Sequence, residues 1–189
     1  GYTHSCSVSD ARQVNCWGAP FSQLPAPPFA QDVRAGRDFS CALFANGYVT
    51  CWGNNDFNQL GSPKPDARGV MVVSSLNEAS QISAGARHAC AVTASSVAVV
   101  CWGDASQGQQ GEAISSTVAQ ATRVPGFKGW FTRVAAGSSS TCAVEGGRVW
   151  CVGSGSMLAG ALADPRTPRQ VPGISDALDV SIFEGHACV

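Results

Sequence analysis

Charge is scarce in this chain: 12 Lys and Arg against 13 Asp and Glu make up 13% of 189 residues, leaving a net charge of −1. No basic cluster exceeds a scattered pair, so the electrostatic footprint of a nucleic-acid binder is missing and an acidic substrate finds no special attraction. Long apolar runs are absent too. The longest windows, such as Val97-Ala98-Val99-Val100, are of strand length and far short of the ~20 residues that cross a bilayer, so no membrane insertion is expected in this segment. There are no Ala/Leu/Glu/Lys stretches from which helices are usually made, and no Asn-x-Ser/Thr sequon. Catalytic signatures are equally thin. No Gly-x-Ser-x-Gly elbow occurs, the acidic residues from Asp10 to Glu184 are dispersed without a paired-carboxylate motif, and the Asp-x-Asp-x-Asp-Gly spacing for Ca²⁺ is absent. No enzyme, cofactor or metal is expected.

What the chain does have is 21 Gly, 10 Pro and 9 Cys. Short strands and turns follow from the first two. The cysteines fall as Cys6/Cys16, Cys41/Cys51, Cys90/Cys101 and Cys142/Cys151, with Cys188 left over, and the paired members enclose nine, nine, ten and eight residues. Self-similarity explains the grouping. Gly1, Gly36, Gly85 and Gly137 each stand five residues before a leading Cys, and three pairs end in Cys-Trp-Gly, at Trp17, Trp52 and Trp102; the fourth reads Cys151-Val152-Gly153. Leading cysteines recur after 35, 49, 52 and 46 residues, a spacing that without helical patterning belongs to propeller blades or β-rich arrays.

The second repeat is the most legible. Val33-Arg34-Ala35 reads as a strand ended by Gly36, Cys41–Phe44 as the next, and Tyr48–Trp52 as its partner across the hairpin turn Ala45-Asn46-Gly47. Both cysteines then face each other within one hairpin. A disulfide there stabilises each unit by about 2–3 kcal/mol on the chain-entropy model. Zinc would need thiolates from two repeats, since the gaps lack the short Cys-x₂-Cys spacing. A small sheet has two faces to bury and must stack on its neighbours, which assigns Trp17, Trp52 and Trp102 to packing between blades.

The Gly-x-x-His-x-Cys-Ala-Val strand, the hairpin, Cys-Trp-Gly and Asn54-Asn-Asp-Phe-Asn-Gln-Leu-Gly61 together resemble the regulator-of-chromosome-condensation repeat. The resemblance covers the whole chain, most specifically residues 33–61 and 82–111. It implies an all-β fold of β-propeller type, commonly seven-bladed. Four complete repeats (about 1–32, 33–79, 80–131 and 132–178) and a partial fifth (179–189) would then be just over half of a ring of roughly 320 residues. Cys188 is expected to have its mate beyond residue 189. The paired cysteines are similar to those of a secreted branch that includes bacterial surface repeats and crinkly-type plant receptor ectodomains. Nucleotide exchange on a nuclear GTPase, known in the family, fits poorly with disulfides in a reducing compartment.

His4, His88 and His186 share one repeat position and are therefore expected on different blades, each satisfied within its own blade. Function is read as a non-enzymatic extracellular or cell-surface scaffold using loops 19–32, 61–69, 104–120 and 154–170 for contact with a protein partner or with itself, one version being a self-assembling fibre. The alternative is a ligand-binding ectodomain or secreted inhibitor anchored by Phe21, Phe29, Phe57, Phe127 and Trp130. The Pro-rich loops Leu24–Pro28 and Ser62–Pro65 are sites for O-linked or hydroxyproline sugars, or in the plainer reading stiff connectors.

Overall fold

The computed structural model describes residues 1–18, 28–62, 69–96, 98–111, 116–154, 164–183 and 186–189, and among these there is no helix. The strands form separate antiparallel sheets in chain order. The first is a hairpin of β1 (His4–Val8) and β2 (Val14–Gly18). Three four-stranded sheets follow: β3 (Ala30–Ala35), β4 (Phe39–Phe44), β5 (Val49–Gly53) and β6 (Met71–Val72); β7 (Ala79–Ala84), β8 (His88–Thr93), β9 (Val99–Asp104) and β10 (Thr117–Arg123); β11 (Phe131–Ala136), β12 (Ser140–Glu145), β13 (Arg148–Gly153) and β14 (Arg169–Gln170). A last hairpin joins β15 (Ser181–Phe183) to β16 (His186–Cys188).

Each complete sheet is a meander in which strands consecutive in sequence are neighbours in space, as tight turns dictate. At the β4–β5 turn, Gly47 has φ +81°, a conformation glycine adopts without steric cost. Register is common to the hairpins: Cys6 lies opposite Cys16, Cys41 opposite Cys51, Cys90 opposite Cys101 and Cys142 opposite Cys151. All four pairs are disulfide-bonded. Cys188 is free and exposed.

The first strand of every complete sheet carries a register shift against the second, between Ala30 and Asp32, Ala79 and Gln81, and Phe131 and Arg133. An extra residue there breaks the period-2 alternation and bends the strand. The second strands are covered on both faces. β8 is buried along its whole length, whereas β1, which among the described residues has a neighbouring sheet on one side, alternates buried and open positions.

Stacking is tightest where the glycines lie. Arg37 N donates to Gly85 O at 3.2 Å, and Ala86 N donates to Gly137 O at 3.0 Å. A methyl group added at Gly1, Gly36 or Gly85 would sit 2.3, 2.7 or 2.1 Å from the carbonyl oxygen of the next such glycine. Only a residue without Cβ lets successive sheets approach so closely. Phe183 takes the corresponding place in the last hairpin, and there Ile182 packs on Gly137 instead.

Candidate interaction surface

Two of the three recurring tryptophans are sealed between sheets. Trp52 is 1% exposed, clustered with Val14 of β2 and Ala30 of β3. Trp102 is wholly buried, and its Nε1–H donates to the Gln59 carbonyl of the preceding repeat at 2.9 Å. Trp17 stands 56% exposed, and among the described residues no sheet lies against its side of the first hairpin.

The loop that receives Trp102 is shaped by its own side chains. Asn54 Oδ1 accepts from Asp56 N and from Gln59 Nε2, Gln59 Oε1 accepts from Phe57 N, and Asn55 Oδ1 accepts from Leu60 N. This network holds the Gln59 carbonyl toward the next sheet without help from regular structure. The third repeat repeats it with Asp104 accepting from Ser106 N and Gln109 accepting from Gln107 N.

The histidines depart from expectation. His4 and His88 are buried on different sheets, but each is bonded across a junction rather than within its own blade: His4 Nε2 lies 2.7 Å from Ser40 Oγ, and His88 Nε2 lies 2.9 Å from Thr141 Oγ1. Burial holds His88 well below the ordinary imidazole range, at about 4, with Asp104 opposing the shift. His4 is lowered in the same sense by burial. His186 is exposed. Among the described residues no group of His, Cys, Asp and Glu is arranged to hold a metal ion.

The surface offers shallow features. A depression of about 170 Å³ is lined by the stacked glycines with Tyr2, Arg37 and Phe183, and one of about 380 Å³ by Tyr48 with Val72 to Asn77. The Arg37 guanidinium lies 5.0 Å from the Tyr2 ring centre, and that of Arg87 lies 4.4 Å from Phe57. Of the aromatic anchors considered from sequence, Trp130 is 79% and Phe29 69% exposed, Phe57 is half-buried, and Phe127 is a core residue packed against Phe131 in a tilted pair with ring centres 4.9 Å apart. Phe21, and most of the loops at 19–32, 61–69 and 154–170, lie outside the described residues. The arrangement presents loops and aromatic side chains on stacked sheets, a surface suited to contact with a protein.

Stacked four-stranded meanders define a β-propeller fold. The comparisons agree. Models of the regulator of chromosome condensation (RCC1) repeat match residues 30–59 and 79–109, and a second such model matches 46–92. Residues 30–109 are thus matched throughout by the RCC1 repeat. It is 37% identical over 115 residues to the human E3 ubiquitin-protein ligase HERC2, an alignment covering 59% of this chain and 2% of that protein. Among solved structures it is similar to yeast RCC1 (Prp20) bound to Kap60, with TM-score 0.82 and 18% identity over 98% of this chain and 51% of that one. It is also similar to the ectodomain of the Physcomitrella patens receptor kinase CR4, with TM-score 0.60 and 22% identity over 96% of this chain and 43% of that one. The chain thus spans a small part of the curated relative and about half of the solved propellers.

Proposed function

We propose that this chain serves as an extracellular, non-enzymatic protein-interaction scaffold, its stapled RCC1 blades displaying rim loops to a protein partner. The supporting observation is that four hairpins each carry a cross-strand disulfide. Bonds of that kind persist in oxidising compartments and are rare in the cytosol and nucleus, which weighs against the nuclear roles met elsewhere in the family. Dispersed charge and solvent-facing Trp130 and Phe29 suit contact through aromatic anchors more than electrostatic capture. Likeness to the CR4 ectodomain favours, as a second reading, a module of a receptor's outer portion. Self-assembly into a surface fibre is the version in which the partner is another copy.

The test is intact-mass analysis of native material alkylated with and without prior reduction, alongside protease shaving of intact cells. An extracellular scaffold predicts that the eight cysteines of the four hairpins label only after reduction and that the protein is shaved from the cell surface. Direct labelling of these eight cysteines, in a protein protected from the protease, would defeat the reading.

A further inference from the structure

Residues immediately before the leading cysteines meet at the first and third junctions between sheets and share one apolar cluster at the second, and their identities are matched. At the first junction His4 faces Ser40, and at the third His88 faces Thr141. The second junction has Phe39 where the histidine would be and Ala89 where the hydroxyl would be, both buried in one apolar cluster. At these three junctions each histidine meets a hydroxyl, and the phenylalanine shares its cluster with alanine.

Physical chemistry accounts for the matching. These positions are buried, so a polar group must find its partner across the junction or lose its hydration uncompensated. The hydroxyl has a second neighbour: Ser40 Oγ is 3.5 Å from Cys6 Sγ, and Thr141 Oγ1 is 3.7 Å from Cys90 Sγ. With its proton on Nε2, the imidazole donates to the hydroxyl oxygen and the hydroxyl donates to the disulfide sulfur. Only the Nδ1 lone pair is then left without a partner, as observed for both histidines. A histidine opposite alanine would lose this chain of bonds, and a phenylalanine opposite Ser or Thr would strand a buried hydroxyl. Each mismatch is penalised and each match is not.

We propose that this residue pair is a junction key that selects which repeats can lie side by side, and that the open face of β1–β2 is cut for a repeat bearing the histidine form. On that face Ser5 holds the hydroxyl position, exposed and next to Cys6, and Trp17 is uncovered. The occupant it fits is an RCC1 blade with His two residues before its leading Cys and a loop carbonyl, like that of Gln59, to accept the Trp17 indole. The histidine half of this interface exists inside the chain, where His4 meets Ser40 and Trp52 is buried against the preceding hairpin.

The key is tested by pairwise substitution in the whole chain. His88→Phe alone and Thr141→Ala alone are each expected to lower the melting midpoint by about 5 °C, and the double variant, which recreates the Phe39/Ala89 pair, to recover most of that loss. Installing the key where it is absent, with Phe39→His and Ala89→Ser, should show the same rescue. Losses that simply add in both doubles overturn the proposal. For the open face, a copy of residues 79–136 is fused before Gly1, so that the copied β11 runs into Gly1 as β11 runs into Gly137; a second fusion carries residues 30–84. Ser5→Ala should lower the midpoint of the first fusion, which brings the histidine, and raise it or leave it unchanged in the second, which brings the phenylalanine. An equal shift in both overturns the assignment of that face.

Discussion

Trp17 and Trp102 hold the same place in two hairpins of the same register, yet one is 56% exposed and the other fully buried with its indole nitrogen bonded. Nothing in either hairpin explains the difference. What differs is the neighbour: Trp102 has the Gln59 loop of the second repeat against it, and among the described residues Trp17 has no sheet on that side. Burial in a stacked-sheet protein is thus a property of the junction, and each repeat is finished by the one beside it.

Substitution of the two tryptophans is the strongest way to break this comparison. Trp102→Ala removes a fully packed indole and leaves the Gln59 carbonyl unpaired, and should cost about 3–5 kcal/mol. Trp17→Ala should change stability by no more than about 0.5 kcal/mol. Denaturant midpoints measure both, and equal losses would show that the tryptophan stabilises its own hairpin instead of the junction.

Acid should separate the junctions next. His88 has a folded pKa of about 4 against an unfolded value of 6.5, so between these values the unfolded chain binds the proton more readily. The contribution of neutral His88 is fully present above pH 6.5 and is lost as pH falls toward 4, by about 3 kcal/mol. His4, shifted in the same direction, adds to the slope. Unfolding free energy measured across pH 4–7 should rise with pH. In the His88→Phe, Thr141→Ala double variant the slope should be markedly shallower; an unchanged slope would place the titration elsewhere.

Much of this fold is legible in the sequence because its information is local. The turn at Asn46-Gly47, the Cys-to-Cys spacing and the recurring Gly state the hairpin and its register without reference to the rest of the chain. The first strand is less legible. An extended segment from Val33 captures its regular end, but the strand begins at Ala30 because the register shift before Asp32 breaks the alternation that would reveal it. The junction contacts were hidden for another reason. A histidine satisfied inside its blade and one satisfied by the next blade look alike along the chain, and only the stacking of Ser40 on His4 and Thr141 on His88 distinguishes them. The loops expected to carry contact could be delimited from their Pro and Gly content, but their chemistry depends on the partner.

Glycine substitution probes the same contrast with a smaller effect. An alanine methyl at Gly85 would meet the Gly137 carbonyl oxygen at 2.1 Å, whereas one at Gly69 meets nothing within 4 Å. Neither glycine has positive φ, so the difference is one of space alone. Gly85→Ala should cost about 1–3 kcal/mol by forcing two sheets apart, and Gly69→Ala should be neutral or slightly stabilising through the unfolded chain. Thermal melts of the two variants decide; a tolerated Gly85→Ala would mean that the junction yields more easily than its hydrogen bonds imply.

The smallest expected effect distinguishes two loops of one design. Asn58 and Gly108 occupy the same left-handed position, with φ of +59° and +77°, which Asn tolerates better than most residues. Asn58 uses its side chain, donating from Nδ2 to Thr117 Oγ1 of the following repeat at 3.1 Å. Asn58→Gly relieves the backbone but loses that bond, and the opposing terms should leave stability within about 0.5 kcal/mol of the parent. The reverse change meets an obstacle, since a Cβ at Gly108 would lie 2.8 Å from the Pro165 carbonyl oxygen. Gly108→Asn should therefore cost about 1–2 kcal/mol, a difference that paired denaturant curves resolve. If Asn58→Gly proved the costlier of the two, the side-chain bond to Thr117, rather than close approach of backbone, would be what joins these loops to the repeats that follow them.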